Sequence, residues 1–184
     1  MIVLHAESEF SGARSVVALG MFDGVHIGHQ RLIRRTVALA RELNASAIVC
    51  TFDRHPLSVI APERAPEPVL PLAENLQKFE RLGADFAIVR PFTREFAAMP
   101  PEEYIRLLCE TLHAVAIVVG ENYTFGDRGR GNAELLRRLA PECGYRAEII
   151  PPVMVGERMA SSTYIRELRR EGKNQEAERL LRIE

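Results

Sequence analysis

The sequence has no tryptophan and only three cysteines, Cys50, Cys109 and Cys143. An odd count without a Cys-x-x-Cys pair argues against a disulfide framework and for buried, reduced thiols in a cytosolic protein. Charge of one sign is missing as well. Against 24 Lys and Arg stand 25 Asp and Glu, a formal net charge of −1. No global field is present to gather nucleic acid or anionic lipid, so anion binding must come from local geometry. No apolar stretch approaches the ~20 residues that span a bilayer. Met1–Phe10, with His5, Glu7 and Glu9, lacks the basic and apolar parts of a signal peptide. Internal repeats, low-complexity tracts and the Gly-Lys-Ser/Thr ending of a P-loop are also absent. What is there is 184 residues, 47% of them hydrophobic. That suits one domain, 1–184, with a sizeable core.

Short β-branched apolar runs recur at Ser15–Gly20, Ala45–Phe52, Phe86–Val89, Ala114–Gly120 and Arg146–Ile150. They barely alternate, as expected of strands buried on both faces. Helical patterns lie between them. Leu32, Ile33, Val37, Ala40 and Leu43 share one helix face, and Ala73–Leu82 and Pro101–Leu112 behave similarly. Asn132 suits the cap of a helix over Ala133–Leu139, and two more helices, Thr163–Glu171 and Asn174–Arg182, follow. Strand–helix alternation predicts an α/β fold with a parallel sheet of about five strands and helices on both faces. Ligands of such folds sit beyond the carboxyl ends of the strands, where strand order reverses. Arg54–Pro71 breaks the pattern with five prolines and reads as an extended loop over the sheet edge, with the freedom of a flap.

The unusual residues follow the strands. Gly20-Met21-Phe22-Asp23-Gly24-Val25-His26-Ile27-Gly28-His29 joins the first strand to the first strong helix. Gly20 and Gly24 permit a tight turn, and Gly28 leaves space between the histidines. The helix N-terminus favours phosphate. Two imidazoles three residues apart can stabilise charge developing on an α-phosphate, whether protonated or as hydrogen-bond donors. The rival reading of His-x-x-His is a metal site, but no Cys, Asp or Glu cluster completes it. Gly-x-Phe-Asp-Gly-Val-His-x-Gly-His resembles the signature of the prokaryotic FAD synthetase module, the adenylyltransferase half of bifunctional riboflavin kinase/FAD synthetases. Its His-x-Gly-His core is shared by a wider nucleotidyltransferase superfamily.

Three more segments carry the resemblance. Thr51-Phe52-Asp53-Arg54-His55-Pro56 is similar to the family's Thr-Phe-Asp/Glu-Pro-His-Pro segment, with Arg54 where the family commonly has proline. Gly120-Glu121-Asn122-Tyr123-Thr124-Phe125-Gly126, followed by Arg128 and Arg130, is similar to its Gly-Asp/Glu-Asp/Asn-Phe-x-Phe-Gly stretch. Ser161-Ser162-Thr163-Tyr164-Ile165-Arg166 looks like its Ser-Ser-Thr-x-Ile-Arg signature. Hydroxyls there can cap a helix, and Arg166 can bind phosphate in a bidentate way. The family usually has Arg two residues before the first Ser. Here that position is Met159, with Arg158 one place earlier.

The resemblance implies a Rossmann-like nucleotidyltransferase fold and the synthesis of FAD and pyrophosphate from FMN and ATP with Mg²⁺, in the cytoplasm. It makes His26, His29, Asn122, Ser162 and Arg166 catalytic. Gly20, Met21, Phe22, Asp23, Gly24, Gly28, Gly120, Arg158, Ser161 and Thr163 join them at the nucleotide. Phe52, Asp53, Arg54, His55, Pro56, Asn122, Tyr123, Phe125 and Arg128 fall at the flavin, with Arg54 a candidate for the FMN phosphate. ATP and FMN are the expected partners, with neither nucleic acid nor membrane, and no riboflavin kinase module is expected within the 184 residues. The protein ligands of the metal and the oligomeric state are not legible. Two other readings share the pattern: a cytidylyltransferase acting on a small phosphoalcohol, and a non-catalytic flavin-nucleotide binding module.

Overall fold

The computed structural model describes Met1 to Ile183. Six parallel strands form one sheet: β1 Ile2–Leu4, β2 Ser15–Leu19, β3 Ser46–Phe52, β4 Phe86–Arg90, β5 Ala114–Gly120 and β6 Arg146–Ile150. The order across the sheet is β1-β4-β3-β2-β5-β6. The expectation of about five strands misses β1, three residues that pair with β4 at one edge and leave Ile2 and Val3 exposed. A second small sheet, the antiparallel hairpin β7 Met154–Val155 with β8 Arg158–Met159, was also unforeseen.

Helices α1 Ile27–Glu42 and α3 Leu72–Arg81 pack on one face of the sheet, and α5 Pro101–Thr111 and α6 Ala133–Cys143 on the other. Every residue of β2 is buried, which explains its unbroken apolar run. Its side chains alternate between the two cores: Val17 and Leu19 join α5 and α6, while Val16 and Ala18 join α1 and α3. A third apolar cluster is made by α7 Ser162–Arg170 and α8 Asn174–Leu181 together with Val69. Asn132 caps α6 by accepting the Leu135 N–H at 2.9 Å. Of the three free thiols Cys50 is buried, while Cys109 and Cys143 are only partly buried against the same core, so the expectation of three buried thiols holds fully for Cys50 alone.

From β2 the chain builds outward through β3 and β4, then crosses back to β5 and β6. The reversal of strand order therefore lies between β2 and β5, where ligands of open α/β sheets bind. Gly20 and Gly120 stand at those two strand ends.

The proline-rich segment differs from expectation. It follows β3, an interior strand, and it contains two short helices, α2 Leu57–Ile60 and a 3₁₀ turn at Pro62–Arg64. A further short helix, α4 Arg94–Ala97, follows β4. Prolines favour the extended stretches between the turns but do not leave the segment free. Val69 N–H donates to Asp23 at 2.8 Å, and the Glu67 and Val69 carbonyls each accept from an arginine of α7 at 2.7 Å.

Candidate active site

The turn after β2 has an unusual backbone. Phe22 and Val25, both fully buried, adopt left-handed φ of 51° and 47°, and Gly24 lies between them at 84°. Non-glycine residues pay for that conformation, and it persists only where the surroundings over-determine it. They do so here. The Met21 carbonyl accepts from Thr51 Oγ1 at 2.9 Å, Asp23 from Ser162 Oγ at 2.8 Å, Gly24 from Lys78 Nζ at 3.2 Å and Val25 from Gln30 Nε2 at 3.0 Å. Asn75 Oδ1 accepts the Gly24 N–H at 3.0 Å. A Cβ at Gly24 would also sit 2.6 Å from Val69 Cγ1, so glycine is required twice over. Asn75, Lys78 and Gln30 stand in none of the four sequence motifs. A polar residue on the buried face of an apolar helix pattern, as Gln30 is, was the available signal.

The turn delivers two stacked imidazoles to the start of α1. His26 caps the helix: its Nδ1 accepts the His29 N–H at 3.4 Å. Nδ1 therefore lacks a proton, and the neutral ring carries its hydrogen on Nε2. The rings of His26 and His29 lie 3.7 Å apart, tilted by 23°. Burial, with the nearby Lys78 charge, lowers the His26 pKa to about 4. Burial, then the neighbouring His26, lowers that of His29 well below its ordinary value. His29 Nδ1 is buried without a hydrogen-bond partner, the one such side-chain atom among the described residues. Of the two forms left open by the sequence, the free site holds the neutral rings. Gly28 lets His26 and the Ala160 carbonyl close on the helix start, since a Cβ there would lie 3.2 Å from the His26 ring.

Across the same cavity lies the start of α7. Ser161 Oγ accepts the Tyr164 N–H at 3.1 Å. This leaves the N–H groups of Ser162 and Thr163 without an intrahelical partner and ready for an anion. Arg166 lines the cavity while its guanidinium is braced by Asp23 and by the Glu67 carbonyl. The cavity, about 370 Å³, brings together Gly20, Met21, Phe22, His26, Gly28, His29, Gly120, Asn122 and the Ser161–Arg166 helix start. The histidine turn and the serine–arginine helix thus converge on one space. Asp23 and Gly24 stand behind its wall as supports. Arg158 does not reach it, because its guanidinium pairs with Glu167 and stacks 4.5 Å over Tyr164. Met159 does, and its sulfur accepts from Asn122 Nδ2 at 3.6 Å.

A second cavity of about 400 Å³ adjoins it and shares Met21, Asn122 and Tyr123. Phe52, Pro56, Phe125 and Arg128 line it as expected positions, and Phe92, Phe96, Met99 and Tyr104 line it unforeseen. Its rings brace one another. Phe52 meets Phe92 edge-on at 5.0 Å, Phe96 meets Tyr104 at 5.3 Å, and Tyr123 stacks on Phe125 at 5.7 Å. Arg90, paired with buried Glu7, sits 4.6 Å over the Phe96 ring. Three residues of the Phe52–Pro56 segment do not line this cavity. Arg54 turns back to Asp53 at 2.8 Å and lines neither cavity. Asp53 is occupied by that arginine and by the Phe92 N–H, a strand-end ion pair in place of the family's proline. His55 lines the polar cavity instead, its Nδ1 accepting the Leu57 N–H at 3.1 Å. Burial, with Arg166 nearby, lowers its pKa despite the opposing charge of Asp23.

Among the described residues no helix is long and apolar enough to cross a membrane, and no group of three His, Cys, Asp or Glu side chains is gathered to hold a metal.

The chain is 33% identical over 184 residues to a bifunctional riboflavin kinase/FMN adenylyltransferase of Listeria monocytogenes, covering 98% of this chain and 58% of that protein. It is 36% identical over 169 residues to a putative bifunctional riboflavin kinase/FMN adenylyltransferase of Geobacillus thermodenitrificans, covering 91% and 89%. The chain spans about half the length of most curated relatives it matches. A solved structure from Streptococcus pneumoniae, described as a macrolide-efflux protein, superposes with a TM-score of 0.85 at 30% identity, over 98% of this chain and 60% of that one. The model of the FAD synthetase family matches residues 9–164, and the chain belongs to that family.

Proposed function

We propose that the protein is an ATP:FMN adenylyltransferase, which joins the adenylyl group of ATP to the phosphate of FMN and releases pyrophosphate. One observation carries the reading: a polar cavity rimmed by two helix N-termini adjoins an apolar cavity walled by aromatic rings, and Met21, Asn122 and Tyr123 line both. The first suits a triphosphate and the second a flat heteroaromatic ring, end to end. The shared wall then lies where the FMN phosphate and the α-phosphorus meet.

In this account the free N–H groups of Ser162 and Thr163 and the N-terminus of α1 hold phosphate oxygens. Arg166, already braced by Asp23, offers its remaining N–H donors. His26 donates from Nε2, and a triphosphate beside the stacked rings favours their protonated form. Asn122 donates and accepts where the two substrates touch. The flavin phosphate oxygen attacks the α-phosphorus in line, so the protein's work is alignment and charge neutralisation. Mg²⁺, which takes many of its ligands from phosphate oxygens and water, would enter with the nucleotide and neutralise its charge. The donor set fits that mode, since Asp23 is already committed to Arg166 and Val69. We take residues 1–184 as one domain acting in the cytoplasm.

Incubation with FMN, ATP and Mg²⁺, followed by chromatography, should yield FAD and pyrophosphate in equal amounts. Absence of FAD, or consumption of CTP with glycerol phosphate in preference, would overturn the reading.

A further inference from the structure

Helix α8 lines neither cavity, yet its carboxyl end rests on the back of the histidine turn. Lys78 Nζ, which donates to the Gly24 carbonyl, also donates to the Leu181 carbonyl at 2.6 Å. Gln30 Nε2, which donates to the Val25 carbonyl, also reaches the carbonyls of Leu181 at 3.3 Å and Arg182 at 3.1 Å. Two side chains from two helices therefore join the same two pieces of backbone. The ammonium closes the carbonyl end of α8, where a positive charge is favoured. Leu181 packs against the turn as well, its Cδ2 lying 3.1 Å from where a Cβ of Gly24 would stand. The helix is seated by buried Ala177, Leu180 and Leu181 against Ile165, Leu168 and Val69.

The turn these bonds support is the left-handed stretch that aims His26. Each bond removed frees a carbonyl whose neighbours hold an unfavourable conformation, so the turn relaxes away from the geometry that presents the ring. Catalysis by alignment is sensitive to displacements of about 1 Å.

We infer that Lys78 and Gln30 are positioning residues that couple the seating of α8 to the aim of His26, so that a helix touching neither substrate sets the rate of the transfer step. The inference rests on the adenylyl-transfer reading for its kinetic consequence, but not for its structural one.

The test uses Lys78→Met, Gln30→Met and, in the apolar seat of α8, Leu180→Ala in the full chain. In each, kcat should fall roughly tenfold while KM for ATP and for FMN stays within about twofold, because substrate contacts are untouched. Lys78→Arg should restore most of the loss, since it returns a cationic donor. NMR of the substrate-free Leu180→Ala protein should show shifted amide signals at Gly24, Val25 and His26. That readout is independent of FAD formation. If the wild-type protein makes no FAD but these signals move, the functional reading fails and the coupling stands. Unmoved signals in the folded variant overturn the coupling, as does an unchanged kcat in both Lys78→Met and Gln30→Met. Should Lys78→Met fail to fold, the other two variants decide.

Discussion

The polar cavity is walled by a backbone turn whose carbonyls are held one by one by side chains, whereas the apolar cavity is walled by rings that hold one another. The first is strained and specified by directional bonds. The second is specified by packing, with Arg90 over Phe96 as a charged brace. A hydrogen-bonded network transmits small displacements, while a packed aromatic wall loses contact area in proportion to what is removed. Damage to the first should therefore appear in turnover and damage to the second in affinity.

The largest effect expected of that difference is at His29. Replacing it by alanine should lower turnover by ~10²–10³, the range for removing one group that stabilises transition-state charge. ATP affinity, measured by calorimetry, should change by no more than about threefold. Near-normal turnover would remove His29 from its role.

Acid should act on the polar side next. Burial, helped by Lys78, lowers the His26 pKa from 6.5 to about 4, so the folded protein refuses a proton that the unfolded chain accepts. Stability from this group is complete above pH 6.5 and is lost as pH falls toward 4, by about 3 kcal/mol at the acid end. Urea unfolding between pH 7.5 and 4 should show the decline, and His26→Gln should make it shallower while leaving the share of His29, whose pKa burial also lowers. A pH-independent unfolding free energy in the wild type would contradict the buried neutral ring.

On the apolar side, Phe96→Ala should raise the KM for FMN roughly tenfold, within what one stacked ring supplies, and leave kcat and ATP affinity close to wild type. An effect confined to kcat would erase the distinction between the cavities. Smallest of all should be Arg54→Ala. The guanidinium is exposed and paired with Asp53, so the KM for FMN should change less than about twofold in steady-state assays. A large rise would return Arg54 to the flavin phosphate.

Legibility in the sequence followed the same division. The buried strands were readable because a short, unalternating run of β-branched apolar residues suits a strand covered on both faces. Ala114–Gly120 and Arg146–Ile150 match their strands residue for residue. Strand β1 was hidden because three residues, two of them exposed, carry no pattern, and the β7–β8 hairpin because two-residue strands carry none either. The histidine turn and the Ser161–Arg166 helix start were visible as local motifs. Their supports were not, since Asn75 and Lys78 lie on a helix about 50 residues from the turn they hold. Phe92 and Phe96 follow β4 directly. The rule that ligand residues follow strand ends points to them, but the family motifs lie in other segments.

The central claim is that one triphosphate bridges the histidine turn and the start of α7. Titration with a non-transferable α,β-methylene analogue of ATP and Mg²⁺, followed by amide NMR, tests it directly. Signals of His29 and of Ser162 and Thr163 should move together along a single binding curve. Movement of one group alone, or two curves with different affinities, would mean that the two helix starts do not share a ligand.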